Sequence, residues 1–201
     1  MPLKNLGPFQ YQRFAPQLPS LEAGHELEIH DVLIAGGGPV GLTTALGLAL
    51  RGVRTVIIEA DDSVCEGSRA ACISRRSLEI LDRLGVSATF LGKGLPWTTG
   101  RSYYREREVL VFSMPNDETQ KFPPMINLEQ YYIEQYLLDE IARLNAASAD
   151  GRPLVEMRWA SRVTDFAQDA RGVRLTVENA LGRYETRARW LVAADGGQSF
   201  L

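Results

Sequence analysis

The sequence predicts an α/β fold in which a parallel sheet carries a glycine-rich turn, with an inserted antiparallel β-meander and the beginning of a second sheet. Three observations lead there. A short apolar run, Val32 to Ile34, is followed at once by Gly36, Gly38 and Gly41 in G-x-G-x-x-G spacing, as at the junction of a buried strand with a helix. A second apolar run, Val56 to Ile58, stops at the acid Glu59. The last third of the chain alternates apolar and polar residues over three stretches and ends in Asp195-Gly196, the pattern of antiparallel strands leading into a turn.

Taken in order, residues 1–28 carry Pro2, Pro8, Pro16 and Pro19 with few periodic apolar residues, which predicts an extended arm outside the nucleotide motif. After the first strand, Leu42, Ala45, Leu46, Ala49 and Leu50 recur at helical spacing, and Gly52 ends that helix. Ala60 to Cys72 reads as a loop, and Ile73, Leu78, Ile80, Leu81 and Leu84 as a helix closed by Gly85. Residues 97–125 hold Tyr103, Tyr104 and the run Val109 to Phe112 among charges, then Pro115, Pro123 and Pro124. They read as short, partly exposed strands of a separate sheet, the start of a substrate-facing layer. Ile133, Leu137, Leu138, Ile141 and Leu144 restore helical spacing and return the chain to the first domain, which therefore comprises residues 29–96 and 126–201. Met157 to Phe166, Val173 to Val177 and Tyr184 to Val192 form the expected meander, with Gly172 and Gly182 near its turns.

The strand, helix, strand and acid together make a Rossmann-like dinucleotide-binding unit. Gly36 permits the tight turn, Gly38 lets backbone approach a pyrophosphate, and Gly41 allows close helix packing. Free amides and the positive end of the helix dipole, at Gly38, Pro39 and Val40, would face the phosphates. Glu59, with Ala60 beside it, would accept hydrogen bonds from a ribose diol and repel a phosphate on it, which favours FAD or NAD over NADP.

With 201 residues, 45% of them apolar, the chain can bury a core. A net charge of -3 gives no electrostatic case for nucleic acid or an anionic membrane. No run is apolar enough to span a bilayer and the N-terminus lacks the pattern of a signal peptide, so a cytoplasmic location is expected. Cys65 and Cys72 have the spacing of neither a disulfide framework nor a zinc site, and His25 and His30 offer no metal pair.

GGGPVG at 36–41, Glu59, GSRAACISRRSLEIL from Gly67, NLEQYYIE from Asn127 and AADGGQS from Ala193 resemble the N-terminal part of the flavoprotein aromatic hydroxylases. That group includes para-hydroxybenzoate and phenol hydroxylases, and the sequence is most similar to the meta-hydroxyphenylpropionate hydroxylase branch, from about Asp31 to Ser199. The resemblance implies an FAD-binding domain and places Arg69 near the flavin's phosphates and ribityl chain. It implies that Gln130 hydrogen-bonds the flavin side chain, that the backbone of Val163 meets the adenine, and that Asp195 and Gly196 lie between flavin and nicotinamide. The implied reaction uses NADH or NADPH and dioxygen to hydroxylate a small phenolic ring.

No residue here is required as catalytic acid, base or nucleophile. Trp97, Tyr103 and Tyr104 read as packing residues rather than a ring-binding pocket. The family's further Gly-Asp-Ala motif does not occur in these residues. Much of the substrate pocket and the contacts of a homodimer are therefore expected beyond this chain, which alone is not expected to hydroxylate. The alternatives are an NAD-dependent dehydrogenase, which the inserted sheet and late Asp-Gly disfavour, and a truncated, non-catalytic nucleotide-binding module.

Overall fold

A computed structural model describes residues 9–67, 70–199 and 201. Residues 9–20 have no regular secondary structure. The chain then forms β1 (Leu21–Glu22), β2 (His25–Ala35), α1 (Pro39–Ala49), β3 (Thr55–Ile58), β4 (Ala70–Ser74), α2 (Arg75–Arg83) and α3 (Ser87–Lys93). There follow β5 (Leu95–Trp97), β6 (Thr99–Tyr104), β7 (Arg107–Ser113), β8 (Met125–Glu129) and α4 (Gln130–Ala146). The last strands are β9 (Val155–Arg158), β10 (Ser161–Asp169), β11 (Gly172–Asn179) and β12 (Gly182–Ala193), before a short 3-10 turn at Gly196–Gln198.

Among the described residues the main sheet has the order β10-β11-β12-β2-β3-β9, with β1 added on β2. Its heart is parallel: Leu33 lies opposite Leu191 on β12 and Val56 on β3, and Ile57 lies opposite Met157 on β9. Side chains alternate across a strand, so β2 serves two cores at once. Val32 and Ile34 pack with Ile57, Leu42, Leu46, Phe90 and Leu137 on the helical side. Leu33 packs with Val56, Ile58, Leu175, Val177 and Tyr184 on the meander side. That double burial is why the run Val32 to Ala35 shows no polar position.

The meander side also buries charge. The Arg158 guanidinium, 3% exposed, pairs in a fork with Glu26, 5% exposed, at 2.6 and 2.8 Å, and meets Glu156 at 2.7 Å. His30 Nε2 lies 3.1 Å from the same Glu26 carboxylate. This cluster ties β2 to β9 across the intervening β3.

Three sequence expectations are corrected. The stretch Met157 to Phe166 is two strands, because the chain turns a corner at Ala160, whose φ of 49° lies in the left-handed region. The part before the corner is a parallel edge strand and only the part after it joins the meander. Next, the expected loop Ala60 to Cys72 ends in a strand, and Ile73 belongs to that strand rather than to a helix. Here β4 finds its partner in the distant β8, Cys72 opposite Asn127, in a separate sheet that also holds β5. Helix α2 starts later, at Arg75, where Ser74 caps it by accepting from the Ser77 amide at 3.3 Å. Third, Tyr103 and Tyr104 do not pack in a core: they lie on the β6–β7 hairpin, 58% and 67% exposed.

Candidate functional site

Where β2, β3 and β12 end and β10 begins, the sheet opens into a cleft of about 340 Å³. Its floor is the glycine turn. Gly36 donates its amide to Ile58 O at 2.8 Å and adopts φ +101°, so both its hydrogen bond and its conformation tie the turn to β3. A Cβ at Gly36 would stand 2.2 Å from Ala194 O, and one at Gly41 would stand 2.0 Å from Gly36 O. These two glycines are therefore packing requirements, the first against the Asp-Gly segment and the second against the turn itself. A Cβ at Gly38 would meet nothing within 4 Å. Gly38 faces open space at the N-terminus of α1, with Pro39 as the first helical residue and no side-chain cap on the helix. The first amides of that helix thus remain available to an anion, with the helix dipole behind them.

The first wall is the chain after β3. Glu59, at the strand tip, accepts hydrogen bonds from the Gly37 amide and, at 2.8 Å, from the Asp61 amide. An ionised carboxylate has about four acceptor positions, so capacity remains for ribose hydroxyls. Ala60, Asp61, Ser63 and Cys65 continue this wall.

Helix α4 supplies the second wall through Gln130 and Glu134. Glu134 is 3% exposed and accepts from Gln130 Nε2 and from the Cys65 amide, both at 2.7 Å. Burial pushes its carboxyl above the usual range, the two donors pull it back, and the Glu59 charge pushes it up again. Glu134 therefore fastens the loop after Glu59 to α4.

The remaining walls are β10, through Ser161, Arg162 and Val163, and the end of β12, through Ala194, Asp195 and Gly196. The pairing of β10 with β11 slips just after Val163, a bulge at the cleft's rim. The Asp195 carboxylate accepts from Ser199 Oγ at 2.8 Å and from the Leu201 amide at 3.2 Å.

Of the residues singled out from the sequence, Gly36, Gly38, Pro39, Val40, Glu59, Ala60, Gln130, Val163, Asp195 and Gly196 line this one cleft. Gly41 lies beneath it in the helix start. Arg69 lies outside the described residues. Sequence reasoning passed over Gly37, Glu134 and Arg162. Gly37 carried a signal, as the middle of three glycines. Glu134 carried one too, four residues after Gln130 and so on the same helix face. Arg162, the one Lys or Arg among the described lining residues, has no local pattern to mark it.

A parallel sheet with an uncapped helix N-terminus over a glycine turn, an acid at the next strand tip and a cleft at the strand ends defines a dinucleotide-binding α/β domain. The FAD binding domain family matches residues 30–201, and the chain belongs to that family. The dehydrogenase alternative is thereby set aside. The chain is 30% identical over 171 residues to the para-nitrophenol 4-monooxygenase of Pseudomonas sp. (strain WBC-3), covering 84% of this chain and 40% of that protein. It is 31% identical over 169 residues to a 3-(3-hydroxy-phenyl)propionate/3-hydroxycinnamic acid hydroxylase of Mycolicibacterium smegmatis, covering 84% and 29%. Among solved structures, p-nitrophenol 4-monooxygenase PnpA from Pseudomonas putida DLL-E4 superposes with a TM-score of 0.74 at 26% identity, covering 86% of this chain and 42% of that one. The chain thus spans less than half the length of these relatives.

Proposed function

We propose that this chain is the FAD-binding portion of a monooxygenase that hydroxylates a small phenolic compound, with NADH or NADPH as reductant and dioxygen as co-substrate. The observation that carries the reading is the convergence of the glycine turn, Glu59, Gln130, Val163 and Asp195 on a single cleft in a chain of the FAD binding domain family. The relatives' names, hydroxylases and monooxygenases of substituted phenols and phenylpropionates, supply the substrate class.

The cleft suits an extended dinucleotide. Gly38 leaves room at the helix amides for a pyrophosphate, and the amides of Val40 and Gly41 stabilise its charge. Glu59 holds the adenosine ribose, and the backbone at Val163 borders the adenine. Gln130 and Asp195 orient the other half. Arg162 offsets part of the negative charge that Glu59, Asp61, Glu134 and Asp195 bring to the cleft. FAD, when bound, would supply the redox chemistry that links the reduced nicotinamide to dioxygen. The protein's own task is binding, orientation and exclusion of water.

Residues 29–96 and 126–201 make up the cofactor portion in this reading, and 97–125 begin the substrate sheet. The β6–β7 hairpin, with Tyr103, Tyr104 and Val109 to Phe112 exposed, suits a strand pair that awaits further chain. A homodimer would form through parts outside this chain. A cytoplasmic setting belongs to the same reading. Among the described residues no helix is long and apolar enough to cross a membrane.

Titration of the purified chain with FAD, read by flavin fluorescence and absorbance, tests the assignment. Gly38→Val should abolish binding while leaving the thermal midpoint nearly unchanged, because the added methyls enter only the space meant for phosphate. Undiminished FAD binding by this variant would remove the glycine turn from the site.

A further inference from the structure

The residues before β1 contribute nothing to the lining of the cleft among the described residues, yet they touch the back of three of its walls. Phe9 packs on Tyr131 and Tyr132 of α4, with ring centroids 4.6 and 5.2 Å apart, directly beside Gln130. Tyr11 joins the same cluster at 5.9 Å from Tyr131. Arg13 pairs with Asp62 and Glu66 of the loop after Glu59. Phe14 donates its amide to Asp62 O at 2.8 Å and stacks on the buried ring of Trp159, centroids 4.7 Å apart and planes 8° from parallel. Further on, Gln17 O accepts from Asn179 Nδ2, which also reaches Ser161 Oγ at 3.2 Å on β10.

The arm therefore ties together α4, the 60–66 loop and the β9–β10 corner, from behind. Within the domain that loop is held by the Asp61 amide on Glu59, the Ala160 amide on Asp61 O, the Cys65 amide on Glu134 and the burial of Ser63 and Val64. Asp62 and Glu66, between and beyond these anchors, take the arm's contacts instead. The arm also lies ahead of the segment that matches the FAD binding domain family, which begins at residue 30.

We propose that residues 9–17 are a positioning strap for the cofactor cleft, with Arg13 and Phe14 as the positioning residues, and that the strap sets how fast an adenine dinucleotide leaves. This rests on the FAD site proposed above. An ordered loop keeps Ala60, Asp61 and Glu59 in register with the ribose. A loosened one opens the adenosine end without removing any group that touches the ligand. The effect then falls on the dissociation rate, since the cleft's charges and the helix amides that guide entry are unaltered.

The test uses the full chain, wild type against Arg13→Ala/Phe14→Ala, with Arg13→Gln as the milder variant should the double substitution fail to fold. FAD dissociation is followed by stopped-flow fluorescence, and amide hydrogen exchange of residues 60–66 is followed without ligand. The double variant should release FAD about tenfold faster, equivalent to one stacked aromatic pair with its hydrogen-bonded neighbour. Exchange in 60–66 should quicken, and Arg13→Lys should restore part of both. FAD release unchanged in a folded variant would overturn the strap alone. Failure of the wild-type chain to bind FAD would overturn the cofactor reading and the strap with it.

Discussion

Two glycines show how differently the cleft and the β6–β7 hairpin are built. A Cβ at Gly41 would meet Gly36 O at 2.0 Å, and a Cβ at Gly100 would meet the Phe112 ring at 2.3 Å. The distances are nearly equal but the consequences are not. Gly36 O is backbone, fixed by a turn that is itself bonded to β3, and cannot retreat. Phe112 is 43% exposed on the hairpin and can swing into solvent. The same contrast holds for charge: the Arg158–Glu26 pair is sealed between strands, whereas the hairpin's Arg101–Glu108 pair, at 2.6 Å, is 56% and 33% exposed. Among the described residues, one region is specified by burial against several elements, whereas the other is held chiefly by the pairing of its two strands.

The comparison can be broken by substitution, beginning with the largest effect. Gly41→Val should cost more than about 4 kcal/mol, enough to prevent folding of a marginally stable domain. Circular dichroism and thermal melting of the soluble fraction would show it, and a near-native melt would mean that the turn can yield after all. Arg158→Met should cost about 3 to 5 kcal/mol, because it leaves the Glu26 carboxylate buried without its partner. Urea unfolding measures this, and a loss under about 1 kcal/mol would put the sealed pair level with the exposed one.

The same pair gives a pH dependence. Burial alone would raise the Glu26 carboxyl, but the hydrogen bonds from Arg158, with the neighbouring His30 and Thr186 side chains, outweigh it and lower the pKa from 4.5 to about 2. A depressed carboxyl pKa stabilises the fold above its unfolded value, and that stability disappears as pH falls from about 4.5 towards 2. About 3 kcal/mol should be lost over this window in wild type. Glu26→Gln should flatten that part of the profile, and an identical profile in the variant would assign the acid sensitivity to other carboxylates.

Smaller effects sharpen the contrast. Glu59→Ala should weaken FAD binding about tenfold, the equivalent of one hydrogen bond to a charged acceptor. It should also loosen the Gly37 and Asp61 amides that the carboxylate now holds. Fluorescence titration gives the affinity; an unchanged Kd would reduce Glu59 to a tie between turn and strand. In the hairpin, Gly100→Ala and Arg101→Ala should each shift stability by less than about 1 kcal/mol. A larger loss in denaturant melts would show that the hairpin docks on the rest of the chain.

Much of the cleft was legible because its signals are local. Gly36, Gly38 and Gly41 sit within one turn and one helix start, and Glu59 ends the next apolar run, so spacing alone places them together. The order of the later motifs carried Gln130, Val163 and Asp195 into the same reading through family resemblance. Glu134 escaped because a buried acid on a helix face looks like any other acid until the Cys65 amide is found opposite it.

By itself, then, the sequence determined the strand-helix-strand unit, the buried strand at Val32 to Ile34 and the family. The unit and the burial follow from periodicity and from backbone constraints that a few neighbouring residues impose, and the family from the resemblance of its ordered motifs. Tertiary structure alone decided that Ala70 to Ser74 is a strand, since its partner Met125–Glu129 lies far along the chain. It also decided that the chain corners at Ala160 and that Arg158 closes on Glu26 across β3. The proline-bearing arm reads locally as an extended arm, and only the fold brings Phe14 onto Trp159 and Arg13 onto Asp62. Local pattern encodes the period of an element and the shape of a turn; which distant surfaces meet is settled by burial and pairing over the whole chain.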